Sequence, residues 1–168
     1  VPAARIAKIV YAVEKDSRLI SLLKTELLVS QLSNVVLMED DILKLDIESL
    51  AESAGRHLLV MGNLPYNISS QILVRLIQSR KVADRAILMF QKELADRLMA
   101  APGRKEYGRI TAMLRYCSDI RSLANVKASL FFPKPKVDSE VIEIKFKSNP
   151  EYPANNEKFL FKVIKAAF

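Results

Sequence analysis

The chain has 168 residues, half of them hydrophobic, which is enough for one domain with a substantial core and argues against disorder. Twenty-six Lys and Arg against 19 Asp and Glu leave a net charge of +7, a balance that favours an anionic partner such as nucleic acid. No apolar run approaches the ~18 residues of a membrane span, and the single Cys117 excludes an internal disulfide and a cysteine-rich zinc site while fitting a reducing, cytoplasmic compartment.

Runs rich in Val, Ile and Leu predict strands at 8–13, 34–38, 57–61, 85–90, 120–126 and 141–146. Helical patterns lie between the first five. Asp16 is placed to cap a helix that runs to about Val29, with Leu19, Ile20, Leu22, Leu23, Leu27 and Leu28 as its apolar positions. Ser69 or Ser70 starts a second helix through Ile77. Residues 91–101 form a third, stopped by "APG", and 107–116 a fourth. Alternating strands and helices predict an α/β fold with a mainly parallel sheet. The last two strands are joined by "KASLFFPKPKVDS", too short for a helix, so they are expected to form an antiparallel hairpin at a sheet edge.

The start "VPAARIAKIV" does not read as a secretory signal. A strand within ten residues of Val1, and the amphipathic pattern "NNEKFLFKVIKAAF" running to the last residue, read as a piece of a longer chain. A boundary is expected near "KSNPEYPANNE", with a catalytic domain over 1–148 and, over 149–168, a linker and the start of a C-terminal helical domain.

In an open α/β sheet, ligands sit beyond the carboxyl ends of the strands. The first strand ends in "AVEKD", where Glu14 is placed to accept hydrogen bonds from a ribose. It equally suits a helix start, where the dipole favours an acid. The second ends in "MEDDI", where Asp40 or Asp41 could accept from an adenine amine or simply form a solvated turn. No G-x-G-x-x-G or G-x-x-x-x-G-K-[ST] loop occurs. His57, the only histidine, begins a strand and supports neither a catalytic triad nor a metal cluster.

The third strand ends in "GNLPYNIS". Pro65 fixes the backbone and pushes Leu64 to an extended conformation. Asn63 and the Leu64 carbonyl then form a rigid acceptor pair, with Tyr66 as a flat face beside them. Such a set suits a planar base with an exocyclic amine. Two acceptors holding the amine hydrogens turn its lone pair toward an electrophile, and stacking offsets the cost of flipping the base out.

"GNLPYNIS", "FQKELADRLMAAPGRKEYGRIT" and "SLFFPKPKVDSEVI" together resemble the rRNA adenine N6,N6-dimethyltransferase family, in the family's order and over essentially the whole chain. The resemblance implies a Rossmann-like sheet of seven strands, a helical C-terminal domain and S-adenosylmethionine as cofactor. It implies that Glu14 holds the cofactor ribose, that Asp41 holds the adenine amine with Ile42 beside the ring, and that Asp40 is the register alternative to Asp41. Asn63, Leu64, Pro65 and Tyr66 would hold the target adenine, with Asn63 also on the cofactor side, and Phe131 would stack on the other face of the base. The implied partner is small-subunit rRNA or a precursor of the small ribosomal subunit, met by a monomer away from any membrane. The family's N-terminal strand and glycine loop have no counterpart in the chain. A related large-subunit methylase conferring macrolide resistance shares the crevice, and Leu64 and Asp138 lean toward the small-subunit branch. A non-catalytic assembly factor is the other alternative.

Lys92, Arg97, Arg104, Lys105 and Arg109, with Tyr107 among them, and Lys134 and Lys136 in the hairpin loop are expected to face RNA phosphates or to form a solvated basic face.

Overall fold

The computed structural model describes residues 2–168, apart from the Tyr66 side chain. It divides into two compact units, residues 1–54 and 55–168.

In the first unit, β1 (Val10–Glu14) and β2 (Val35–Glu39) run parallel, with Val10 opposite Val35 and Glu14 opposite Glu39. Parallel neighbours need a crossover, and α1 (Ser17–Val29) supplies it. Asp16 caps α1 as expected, accepting from the Arg18 N–H at 2.9 Å. A short helix, α2 (Ile47–Ala54), follows β2 and buries Ile47 and Ala51, one turn apart. Asp46 starts it by accepting from Ser49 N and Oγ.

The second unit holds β3 (Leu58–Asn63), α3 (Ser69–Gln78), β4 (Ala83–Gln91), α4 (Lys92–Met99), α5 (Arg109–Cys117), β5 (Ser118–Val126), β6 (Ser139–Phe146) and α6 (Glu157–Ala167). Its strand order is β3-β4-β6-β5. β3 and β4 are parallel, whereas β6 runs antiparallel to both β4 and β5. The expected hairpin is therefore present with β5 on the edge, and β6 is the one reversed strand of this sheet.

One face of this sheet is dry. Ala86, Leu88 and Phe90 of β4 and Ile142 and Ile144 of β6 are buried, with Leu73, Leu76 and Ile77 of α3, Leu98 of α4 and Leu114 of α5 completing the core. Each such Leu, Ile or Phe side chain contributes about 1.5–3 kcal/mol by leaving water. The other face carries Glu143, whose carboxylate takes Arg85 Nη1 at 3.2 Å from β4 and Arg121 Nε from β5. Paired from both sides, the carboxylate is held below its usual range, first by Arg121 and then by Arg85.

Two helix starts differ from expectation. Gln91 completes β4, opposite Ser139, so α4 starts one residue later than expected. Gly108 is fully extended, and α5 therefore starts at Arg109. Thr111, buried in α5, ties the two helices by donating to the Arg97 carbonyl at 2.7 Å. At the far end, Asn156 caps α6. Glu157 accepts from Tyr116 at 3.0 Å and from Arg80 at 2.5 Å, and Phe161 meets the Tyr116 ring edge-on. No helix among the described residues is long and apolar enough to cross a membrane.

Candidate nucleotide and RNA site

The carboxylates of the first unit gather where β1 and β2 end. Because the strands are in register, the Asp40 N–H donates to the Glu14 carbonyl at 3.1 Å, and the chain turns beside Glu14. Glu14 Oε1 accepts from the N–H groups of Lys15 at 2.7 Å and Asp16 at 2.9 Å. Asp41 Oδ1 accepts from Leu43 N–H at 2.9 Å, and its Oδ2 lies 2.9 Å from the Lys15 ammonium. The Leu43 N–H and then Lys15 hold the Asp41 carboxyl below its ordinary range, so it is an acceptor at neutral pH. Asp40 is exposed and accepts from Asp41 N–H at 2.6 Å, and Ile42 is half-buried next to it.

Each carboxylate oxygen has more than one lone pair. Glu14 and Asp41 thus keep acceptor capacity beside these bonds, and the donors they fit are hydroxyls and amines. That is the chemistry a nucleoside presents. Lys15 was not singled out in the sequence. Its only signal was a cation between two acids in "VEKD", and nothing there pointed to Asp41, 26 residues on.

The second unit places the asparagine–proline turn at the carboxyl end of β3, where Asn63 stands opposite Met89. Asn63 and Pro65 are exposed and Leu64 is half-buried. The turn closes when Ile68 N–H donates to the Pro65 carbonyl at 3.2 Å, and α3 begins at Ser69. A Cβ at Gly62 would meet Leu64 Cδ2 at 3.0 Å, so a side chain there would shift the tip of Leu64. The Tyr66 side chain, expected to stack on a base, lies outside the described residues.

The same end of the sheet carries the loop of Phe131. Met89 is opposite Val141 and Gln91 opposite Ser139, so the loop joins β6 alongside the carboxyl end of β4. Asp138 ties the loop base. Its Oδ1 accepts from Ala128 N–H at 2.9 Å, its Oδ2 lies 2.9 Å from Lys127 Nζ, and its carbonyl accepts from Lys92 N–H at 2.9 Å. The Asp138 clasp spans ten residues and carries no local sequence signal.

The expected RNA-facing residues separate into two groups. Lys92 Nζ is engaged by Asp96 and lies 2.6 Å from the buried Glu140, and Arg97 pairs with Glu93 at 3.2 Å. Tyr107 is half-buried, its ring 6.0 Å from that of Phe168. Arg104, Lys105, Arg109, Lys134 and Lys136 are exposed.

A sequence profile described as ribosomal RNA adenine dimethylase matches residues 1–168. The chain belongs to this family. It is 49% identical over 168 residues to the ribosomal RNA small subunit methyltransferase A of Desulforapulum autotrophicum, covering all of this chain and 58% of that protein. It is 40% identical over 168 residues to the protein of the same name from Desulfotalea psychrophila, covering 56% of that protein. The solved structure of a dimethyladenosine transferase from Plasmodium falciparum is similar at a TM-score of 0.81 and 29% identity, over 98% of this chain and 56% of that one. The chain thus spans a little over half the length of these relatives, and the Rossmann-like α/β expectation holds.

Proposed function

We propose that this protein is an S-adenosylmethionine-dependent methyltransferase that dimethylates N6 of two adjacent adenines near the 3′ end of small-subunit rRNA. In this reading it acts as a cytoplasmic monomer during ribosome biogenesis. The observation that carries the reading is the Asn63–Leu64–Pro65 turn at the carboxyl end of β3, in a member of the adenine dimethylase family. The domain assignment proposed is a catalytic domain over 1–148, with 149–168 linking it to a helical C-terminal domain.

The first unit's carboxylates suit the cofactor's nucleoside. Glu14 takes the ribose hydroxyls, Asp41 takes the adenine amine, and the half-buried Ile42 lies against the ring. Bound there, S-adenosylmethionine supplies an electrophilic methyl group. The amine of the target adenine is a weak nucleophile because its lone pair is delocalised into the ring. Asn63 and the Leu64 carbonyl accept its two hydrogens and free the lone pair. Tyr66 and Phe131 enclose the base. Transfer is a direct displacement, so orientation and charge placement supply most of the catalysis. The proton leaves an acidic alkylated amine for water, and no residue with a raised pKa is needed to take it.

The test is methyl transfer from tritiated cofactor to purified small and large ribosomal subunits in parallel. Label in small-subunit RNA is expected. Label confined to large-subunit RNA points to the other branch, and saturable subunit binding without label points to an assembly factor.

A further inference from the structure

The loop between β5 and β6 exposes two large apolar side chains that the adenine-holding role does not use. Phe132 is 102% exposed and Leu130 76% exposed. Full exposure of a phenylalanine contributes nothing to the core and costs solubility, so the side chain has no role in folding.

Phe131 is extended, with φ −109° and ψ 149°. The chain then bends through residues 131–133. Phe131 is half-buried while Phe132 stands clear of the protein. The Phe132 ring is thus open to solvent in a way that the Phe131 ring is not. The loop that carries them is clasped at its base by Asp138, so the outward ring is presented from a fixed stem. Lys134 and Lys136, both exposed, follow on the same loop.

An aromatic face with cations beside it is the chemistry that holds an unpaired nucleotide. The ring stacks on the base, and the ammonium groups meet the phosphates. We propose that Phe132 is a second stacking platform, separate from the target-adenine pocket, that holds a neighbouring unpaired base of the RNA. This rests on the reading of the chain as an RNA-modifying enzyme and adds a subsite to it.

The test is fluorescence anisotropy of the chain with a short labelled single-stranded RNA, the same RNA as a duplex, and phosphatidylglycerol vesicles, over a range of salt. Phe132→Ala should weaken single-strand binding about tenfold and leave the slope of log affinity against log salt unchanged, because no phosphate contact is lost. Phe132→Tyr should restore binding. Lys136→Gln should instead lower that slope by roughly 0.7. Duplex binding should be the same for wild type and Phe132→Ala. Unchanged single-strand affinity in Phe132→Ala overturns the proposal. So does an equal loss on duplex, or a loss seen only on vesicles. The methylation assay separates the two readings: a wild type that methylates, with a Phe132→Ala variant that binds normally, rejects this subsite alone. A wild type that never methylates, with a Phe132→Ala variant that loses single-strand binding, rejects the methyltransferase reading alone.

Discussion

The ammonium of Lys15 lies 2.9 Å from Asp41 Oδ2, at the ends of two parallel strands. It occupies the carboxylate proposed to accept the cofactor's adenine amine, and the Lys15 side chain is 77% exposed. An exposed ion pair is weak, so the ligand displaces it at small cost. Lys15→Met should therefore tighten S-adenosylmethionine binding, by up to about fivefold, with thermal stability unchanged. Asp41→Asn should weaken it. Calorimetric titration checks both, and weaker binding in Lys15→Met would show that the ammonium helps to hold the cofactor.

Asn63 separates binding from transfer. Asn63→Ala removes an acceptor that orients the adenine amine, and a lost orienting group of this kind costs about a hundredfold or more in rate. Cofactor affinity should change far less, because Glu14 and Asp41 remain. Single-turnover transfer, measured beside cofactor titration, checks this. Equal losses in both would place Asn63 mainly on the cofactor side.

Asp138 sets the stiffness of the aromatic loop. Asp138→Ala should speed tryptic cleavage after Lys127 and Lys136 and lower RNA affinity, with the sheet intact. The Ala128 N–H, and then Lys127, hold the Asp138 carboxyl below its ordinary value of 3.8. A lowered folded-state pKa means that the clasp's contribution is complete above 3.8 and is lost as pH falls through the lower value. The clasp thus holds throughout the neutral range. The Ala128 amide resonance should titrate with a midpoint below 3.8, and a midpoint at or above it would mean the clasp is open.

Cys117 reports on the core. Its thiol is buried and donates to the Met113 carbonyl at 3.3 Å, and burial pushes its pKa up to about 11. Iodoacetamide at pH 8 should leave the native chain unmodified and label it rapidly once denatured. The buried neutral thiol favours the fold fully below the ordinary value of 9.0, and that benefit is lost as pH rises toward about 11. Fast native labelling would show that α5 opens readily.

The six strands were legible because Val, Ile and Leu concentrate in short runs, α1 because Asp16 announces it, and α6 because its amphipathic pattern does. The bounds of α2 were not, since Ile47 and Ala51 alone mark its buried side. The helix ends moved where a residue could serve two elements: Gln91 found a ladder partner in Ser139, and Gly108 took extended backbone. At the site, the residue types at the strand ends were legible, but not how they are tied. Lys15 meets Asp41, and Glu143 meets Arg85 and Arg121, only through strand register. Charge alone also could not distinguish Lys92, engaged by Asp96 and Glu140, from the exposed Lys134 and Lys136.

The most direct measurement is mass spectrometry of nucleosides from small ribosomal subunits incubated with the protein and S-adenosylmethionine. Wild type should yield N6,N6-dimethyladenosine and Asn63→Ala none. Unmodified adenosine after incubation with a wild-type protein that binds both the cofactor and the subunit would contradict it.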